Sequence, residues 1–331
     1  MTKHFIEYLL TAAMAVMTAQ SCVSKIDPIF DESSANRVEA LAERLNETLT
    51  GAPNGWLLEY YPSSGQYYGG FNVFLSFSEG NKVKVGSEVA GKGKTATSTY
   101  SIYQSAGCVL TLDTYNEVMH YFADPETTGG QGAGFGFEGD FEFNVLDLQD
   151  EKITLKGRKT GSTMTMTPMP VSMSWDDYIV ALKEEESAIS KHTSIRYQTA
   201  DNKYDGRING RTLEIFSEVD GEQVTTSYPF IFNLMGVTFY KPLELGDERI
   251  DGLVYNPDMA DGGAFIPVND GAEGYFVPTY PTITDYLMDK NWFFSYKGLS
   301  DYCKKLWDKA AESLKAAGDN ITYCYLGNIS N

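Results

Sequence analysis

The sequence has few histidines, few cysteines and few basic side chains. Its 331 residues include three histidines, four cysteines and 26 lysines and arginines, against 45 aspartates and glutamates. The net charge is −19 at pH 7, and the need for solubility alone explains such a charge. The charge also argues against nucleic acid or an anionic lipid surface as the partner, because both repel an acidic protein. After residue 22 the sequence has no apolar run of the about 20 residues that a spanning helix needs.

The scarcity of histidine and cysteine restricts the chemistry that is available. The sequence has no Cys-x-x-Cys pair and no His-Glu-x-x-His motif, which argues against a structural zinc site and a zincin-type protease. A Ser-His-Asp triad would have to use His120 or His192. His192 closes an acidic helix, His120 lies among aromatic neighbours, and both are interpreted as structural. We therefore predict no enzymatic activity, no metal site and no cofactor.

The N-terminal stretch resembles a bacterial export signal that ends at a lipid-modified cysteine. A basic start is followed by an apolar run at residues 9–19, too short to span a membrane, and then by small residues and Cys22. We predict that residues 1–21 are removed, that Cys22 is lipidated, and that residues 22–32 form a tether. Two or more acyl chains make such attachment effectively permanent. An ordinary cleaved signal with a free cysteine is the alternative.

Three cysteines remain in the rest of the chain. Cys108 alternates with apolar neighbours and is predicted to be buried. Cys303 and Cys324 are able to form a disulfide in an oxidising compartment, and the sequence leaves this pairing open.

The apolar pattern of the first half predicts one helix followed by a β-meander. Residues 33–50 carry apolar side chains at helical spacing. Short segments with period-two alternation follow, such as Phe71, Val73 and Leu75, and residues 119–123 are assigned to one of these strands. Closely spaced turn signals between strands favour antiparallel neighbours over parallel units joined by helices.

The second half repeats this plan. Pro168 and Pro170 mark a boundary, and residues 174–191 then have the start signal and apolar side of a second helix. Further alternating segments follow. The predicted fold is therefore α+β, mainly β, with two antiparallel β-meander domains, barrel- or sandwich-like, each preceded by an amphipathic helix. The predicted domains are residues 33–170 and residues 171–331.

A late helix is predicted at residues 300–317, before a last strand at residues 321–326. Its apolar side is expected to face inward and consists of Cys303, Leu306, Trp307, Ala310 and Leu314. The segments at 100–112 and 230–240 share one pattern, an apolar strand, a glycine and a second apolar strand. The sequence leaves open whether the two halves form an internal repeat.

Acidic side chains offer an alternative function. Glu138, Asp140 and Glu142 alternate on a predicted strand and would share one face of it. A pair of carboxylates is the chemistry of glycoside hydrolysis. The alternative hypothesis is therefore a carboxylate-based, glycosidase-like hydrolase on the cell surface. A solvated face of the sheet explains the same residues.

Tyrosine is abundant, with 22 residues. Tyr60, Tyr61, Tyr67 and Tyr68 cluster around a short loop at residues 63–70. Exposed tyrosines give a large rigid contact area with a polar tip, which suits contact with a glycan or a peptide. These four residues are the predicted ligand-binding residues; the alternative is that they cover one end of a barrel.

Several motifs resemble a known family. They are residues 107–116, His120-Tyr-Phe-Ala-Asp-Pro125, Gly136-Phe-Glu-Gly-Asp-Phe-Glu-Phe143, Leu155-Lys-Gly-Arg-Lys159, Asn54-Gly55-Trp56, Glu59-Tyr60-Tyr61-Pro62 and the segment from Pro229 to Leu243. The family that they resemble is the Bacteroidetes lipoprotein family known as domain of unknown function 4302. The resemblance assigns no catalytic residue to any position.

The resemblance implies an address and a context. Members are outer-membrane lipoproteins, often encoded near nutrient-import systems made of a TonB-dependent channel and its lipoprotein lid. The expected function is a lipid-anchored, non-enzymatic accessory or ligand-binding protein of a cell-envelope nutrient-uptake system. The expected location is the outer membrane, on either the cell surface or the periplasmic side, with such a channel and lid as possible partners.

Overall fold

In the computed structural model, sixteen strands close into two antiparallel barrels. The structure describes residues 34–126, 134, 136–199, 202–219, 221–260, 262–269, 272, 274–280 and 292–326. The first barrel consists of β1 (Trp56–Tyr60), β2 (Phe71–Ser78), β3 (Lys82–Ser87), β4 (Thr95–Ser105), β5 (Gly107–Leu112), β6 (Glu142–Gln149), β7 (Lys152–Gly157) and β8 (Thr163–Pro168). The second consists of β9 (Ser194–Gln198), β10 (Lys203–Asn209), β11 (Thr212–Val219), β12 (Glu222–Asn233), β13 (Gly236–Leu245), β14 (Glu248–Asn256), β15 (Ala264–Pro267) and β16 (Tyr275–Pro278).

Both barrels have the same strand order. Each strand pairs with its neighbours in the chain, and the last strand closes on the first, β8 on β1 and β16 on β9. The predicted mainly β fold with two antiparallel meanders is confirmed, and of the two architectures left open both halves form barrels.

A helix precedes each barrel and covers part of its core. The helices are α1 (Ser34–Gly51), α2 (Glu117–His120), α3 (Trp175–Ile189) and α4 (Asp301–Ala316). Leu45 and Leu49 of α1 are fully buried in the first core, and Leu182 and Ile189 of α3 are buried in the second. The indole N–H of Trp56 donates to the carbonyl of Leu49 at 3.0 Å, which ties α1 to β1. The apolar residues at helical spacing therefore form the face of each helix that packs on the barrel core.

Strand β2 is buried on both of its faces. Val73 and Leu75 point into the first core, while the ring of Phe74 points the other way and belongs to the core of the second barrel. Phe74 stacks on Trp175 of α3, with ring centroids 5.5 Å apart and planes 24° apart. A strand covered on both faces has a nearly continuous apolar sequence, as residues 71–77 do. The outer wall of the first barrel thus lies against the second barrel and its helix.

The prediction of a strand at residues 119–123 is wrong. Residues 117–120 form the short helix α2, because the side chain of Asn116 accepts hydrogen bonds from the backbone N–H groups of Val118 and Met119, both at 3.2 Å. An asparagine in this position caps a helix start and competes with strand formation. The short alternation of apolar residues did not reveal the cap.

The late helix forms, but its apolar side does not face a core. None of the residues of α4 is buried, and Leu306 is 54% exposed. Strands β17 (Trp292–Phe294) and β18 (Cys324–Leu326) form a small separate sheet. The ring of Trp307 contacts that of Tyr296, in the short 3₁₀ turn between β17 and the helix, at 6.3 Å. The predicted inward face is therefore wrong, since both barrel cores are already covered by α1 and α3.

The cysteines are free in the described residues. Cys108 is buried, as predicted, and burial raises the pKa of its thiol. Cys303 and Cys324 are exposed and form no disulfide with each other. In the part of the chain that the structure describes, no helix combines the length and the apolar character needed to cross a membrane. Cys22 and the predicted signal and tether lie outside the described residues.

Candidate functional site

A buried ion pair joins the two barrels. Glu88 follows β3, and its carboxylate is fully buried; it accepts from the backbone N–H of Asn72 at 2.7 Å and from both terminal nitrogens of Arg211 at 3.0 and 2.9 Å. Arg211 lies in the turn between β10 and β11 of the other barrel. Its guanidinium also lies 4.5 Å from the ring centre of Phe71 and 5.0 Å from that of Phe232. Two-pronged hydrogen bonding and ring contacts fix this side chain in one geometry.

Neutral hydrogen bonds extend the same junction. The side chain of Asn72 donates to the carbonyl of Phe232 at 2.9 Å and accepts from the hydroxyl of Tyr178 at 3.3 Å. Burial raises the pKa of Tyr178 well above its usual range, so the hydroxyl remains a donor at any physiological pH. The backbone N–H of Gly70 donates to the carbonyl of Phe230 at 2.9 Å. The surface between the barrels is thus held by backbone as well as side-chain contacts.

A cleft of about 1050 Å³ opens beside this junction. We call it the inter-barrel cleft. One wall is the loop at residues 63–70, called here the tyrosine loop, together with Phe137; the other wall comes from the second barrel. The second-barrel residues that line it are Asn209, Gly210, Arg211, Thr212, Glu214, Thr226, Ser227, Tyr228, Pro229, Tyr240, Lys241, Pro242 and Glu244. Aromatic rings alternate with hydroxyl, amide and charged groups, which is the lining expected of a ligand site.

The tyrosine loop is held in a strained but well-supported conformation. Ser63 and Gln66 have φ values of 62° and 51°, in the left-handed region that non-glycine residues rarely adopt. The hydroxyl of Ser162 donates to the carbonyl of Ser63 at 2.7 Å, and the side-chain amide of Gln66 donates to the hydroxyl of Ser162 at 3.0 Å. Each left-handed residue costs on the order of 1–3 kcal/mol, and such strain concentrates at binding and catalytic sites.

Two of the four predicted tyrosines line the cleft. Tyr67 is 68% exposed and lies at the cleft surface. The ring of Tyr68 is partly buried and meets Phe137 edge to face, with centroids 5.0 Å apart. Among the described residues the hydroxyl of Tyr68 is buried without a hydrogen-bond partner. A buried hydroxyl in this state is able to accept a hydrogen bond from a ligand or donate one to it.

The other two predicted tyrosines lie elsewhere. Tyr60 is fully buried in the first barrel, where its hydroxyl donates to the carbonyl of Asp140 at 2.9 Å and accepts from the N–H of the same residue at 2.7 Å. Tyr61 is also buried, and its ring packs at 4.7 Å against that of Tyr240, which lines the cleft. Successive side chains of an extended chain point to opposite sides, so Tyr60 enters the first core while Tyr61 faces the second barrel. The structure therefore does not bring all four together.

Positive and negative charges balance in the cleft. The lining contains Arg211 and Lys241 as well as Glu214 and Glu244, although the whole chain has a net charge of −19. Arg211 is bound to Glu88, and Arg207 donates to the carboxylate of Glu214 at 2.7 Å. Such a lining favours an uncharged polar ligand over a strongly charged one, because its positive and negative side chains are equal in number.

The acidic residues considered for hydrolysis do not share a face. The strand begins at Glu142, and Glu138 precedes it with a φ of 57°. Asp140 is buried, and its carboxylate accepts from the backbone N–H groups of Lys159 and Thr160 at 2.8 and 2.9 Å. This carboxylate closes a turn of the first barrel, so the shared strand face predicted from the sequence is wrong.

The two histidines have structural surroundings. The ring of His120 stacks at 4.7 Å on Phe141. The Nε2 atom of His192 lies 2.9 Å from the hydroxyl of Tyr255, and burial lowers the pKa of this imidazole. Among the described residues, no three histidine, cysteine or acidic side chains are close enough together to hold a metal ion.

Comparison with protein families gives one match. The family model described as Domain of unknown function (DUF4302) matches residues 26–257, more than half of the chain. The chain belongs to this family. The matched region of this DUF4302 protein includes the tyrosine loop, Glu88, Arg211 and the cleft-lining parts of β12 and β13. No curated protein matches the chain.

Proposed function

We propose that this DUF4302 protein is a lipid-anchored, non-enzymatic ligand-binding or accessory protein of a cell-envelope nutrient-uptake system. The inter-barrel cleft is its binding site. The observation that carries the proposal is the tyrosine loop, which holds two non-glycine residues in strained backbone conformations and faces the cleft with Tyr67 exposed. A rigid aromatic wall binds a ligand at a low cost in conformational entropy.

Membrane attachment is tested by labelling cells with a fatty acid. We expect label on the wild-type protein and none on a Cys22→Ala variant. Unlabelled wild-type protein in the soluble fraction would contradict the anchor.

The role in uptake is tested by isolating the lipidated protein from its own membrane. Recovery of a TonB-dependent channel and its lid lipoprotein, which Cys22→Ala protein no longer brings down, would support the proposal. Isolation of the protein alone, with hydrolysis of a glycan or peptide that Glu214→Gln or Glu244→Gln abolishes, would replace it with the hydrolase alternative.

A further inference from the structure

The second barrel is closed, but one strand boundary next to the cleft is only partly paired. β12 and β13 form four residue pairs, from Asn233 and Gly236 to Phe230 and Phe239, and then diverge. Beyond this point β12 pairs only with β11, while β13 has a bulge between Thr238 and Leu243 and then pairs only with β14. We call the gap between the diverging parts the seam.

The pairing stops where a proline of β12 meets the bulge of β13 between Thr238 and Leu243. The N–H of Phe230 donates to the carbonyl of Arg211 at 2.9 Å, so every second residue from Phe230 turns its backbone groups toward β11. Pro229 and the alternate residues before it turn theirs toward the seam. Pro229 has no N–H, so the next bond to β13 cannot form, and the facing stretch of β13 contains a second proline, Pro242.

The seam therefore exposes one edge of β12. Its backbone groups belong to Gln223, Thr225 and Ser227, and in the described part of the chain no strand pairs with them. Natural proteins usually protect such an edge with lysines, prolines or inward charges. Pro229 protects the end of this edge, but the side chains of Gln223, Thr225 and Ser227 are exposed and uncharged. A free edge of this kind is the template for adding a strand.

Tyr228 bridges the seam. Its hydroxyl donates to the carbonyl of Glu244 at 3.4 Å, while its ring packs 6.4 Å from Phe239 on the core side. Residues on both sides of the seam line the inter-barrel cleft, namely Ser227, Tyr228 and Pro229 of β12 and Tyr240, Lys241, Pro242 and Glu244 of β13. The seam therefore opens toward the cleft.

We propose that the seam binds an extended, uncharged peptide segment, which adds to β12 as a strand. The N–H groups of Thr225 and Ser227 donate to peptide carbonyls, and their carbonyls accept from peptide N–H groups. Tyr67 contacts peptide side chains from the opposite wall. This inference rests on the proposed function and names the ligand class of the same cleft.

The recess favours a peptide over a second copy of the chain. The β12 edge enters the cleft at Ser227, which lines it together with the tyrosine loop and β13, and a cleft of about 1050 Å³ admits a short extended chain but not a folded barrel. The balanced charges of the cleft lining fit an uncharged segment.

The test uses the mature chain from residue 22 and a library of random octapeptides displayed on phage. Selected peptides are synthesised with a fluorophore, and their dissociation constants are measured by polarisation. The variant Thr225→Pro/Ser227→Pro lacks the two seam-facing N–H groups. The matched control Thr225→Ala/Ser227→Ala keeps both N–H groups and loses only the hydroxyls. Circular dichroism verifies that both variants fold.

We expect the proline variant to weaken binding at least about tenfold, since two hydrogen bonds are lost, and the alanine variant to change it by less than about twofold. N-methylation of alternate peptide amides is expected to weaken binding to the same extent as the prolines. Equal loss in the proline and alanine variants, or insensitivity to N-methylation, would overturn strand addition.

Other occupants give different results. Binding of a glycan from an array, lost in Tyr67→Ala while no peptide is selected, would overturn this inference and leave the proposed function intact. A dimer in light scattering that only the proline variant abolishes would assign the edge to a second copy. Failure to recover the channel and lid would instead contradict the proposed function, whatever the peptides do.

Discussion

The two barrels have the same strand order but differ between their fourth and fifth strands. β4 and β5 form six consecutive residue pairs in the first barrel, whereas β12 and β13 form four, although β12 has twelve residues. The first barrel is closed at this position and the second is split at Pro229. Pro229, which has no N–H, and the bulge of β13 between Thr238 and Leu243 both lie at this opening. A barrel can thus keep its strand order while one strand boundary is only partly paired, and this opening faces the inter-barrel cleft.

The largest predicted effect concerns the contact between the barrels. Arg211→Met would leave the carboxylate of Glu88 buried with only the distant ammonium of Lys183, at 3.9 Å, as a cation, and we expect the free energy of unfolding in urea to fall by about 3–5 kcal/mol. The double variant Glu88→Gln/Arg211→Met keeps an acceptor for the N–H of Asn72 and should recover part of this loss.

Arg207→Met is the matched control for Arg211→Met, because Arg207 forms an ion pair with Glu214 and is 40% exposed. Its expected cost is at most about 1 kcal/mol. Equal costs at the two arginines would mean that the buried pair does not hold the barrels together.

The next prediction tests whether the two helices have equivalent roles. Leu49 of α1 and Leu182 of α3 are both fully buried, so Leu49→Ala and Leu182→Ala should each destabilise the protein by about 2–5 kcal/mol through a cavity. Leu306→Ala in the exposed helix α4 should cost less than about 0.5 kcal/mol. A small cost at either buried leucine would break the equivalence of the helices.

The third prediction introduces proline into corresponding strands. The N–H of Asp113 donates to the carbonyl of Thr99, which places Ser101 at a hydrogen-bonded position facing β5. Ser101→Pro should destabilise the first barrel by about 1–3 kcal/mol, because a ladder partner is left unsatisfied. Thr225→Pro faces the seam and should change stability by less than about 0.5 kcal/mol. A large loss from Thr225→Pro in thermal unfolding would show that the edge is already paired.

Local patterns predicted most of the fold. Alternation such as Val73 and Leu75 predicted strands, and helical spacing predicted α1 and α3, because burial on one face repeats with the period of the element. No strand was predicted at β9 and β10, because their apolar alternation is short: Ile195 and Tyr197 alone mark β9, and the buried position of β10 is Gly206. Arg196 and Asp205 pair across the two strands at 2.6 Å.

The candidate site was only partly predictable. Tyr67 lies in a loop and is exposed, as expected. Tyr60 belongs to a strand of the barrel, and its side chain points into the first core. The contact between Glu88 and Arg211 joins residues 123 positions apart, and neither residue has a local pattern that marks it. Pro229 is visible in the sequence, but its effect depends on which strand it faces.

The smallest predicted effect concerns Glu59, on β1 of the first barrel. Burial raises the pKa of Glu59 above its usual value of 4.5, and Lys152 opposes this shift in part. The negative charge of Glu59 in turn contributes to the raised pKa values of Tyr61 and Tyr178, so this carboxyl lies near the contact between the barrels.

The pH dependence of this group has a definite sign. The pKa of Glu59 is higher in the folded state than in the unfolded state, so the folded state binds this proton more tightly. The resulting stabilisation is fully present below pH 4.5. It is lost as the pH rises through the pKa of the folded state. Glu59→Gln removes that loss, and the variant should gain stability relative to the wild type as pH rises. Urea unfolding at several pH values measures this difference, with Glu39→Gln on the exposed part of α1 as the control for one lost charge. Parallel curves of unfolding free energy against pH for the wild type and Glu59→Gln would mean that this carboxyl of β1 is in contact with water. The second barrel would then cover the wall of the first barrel less tightly than the apolar contacts indicate.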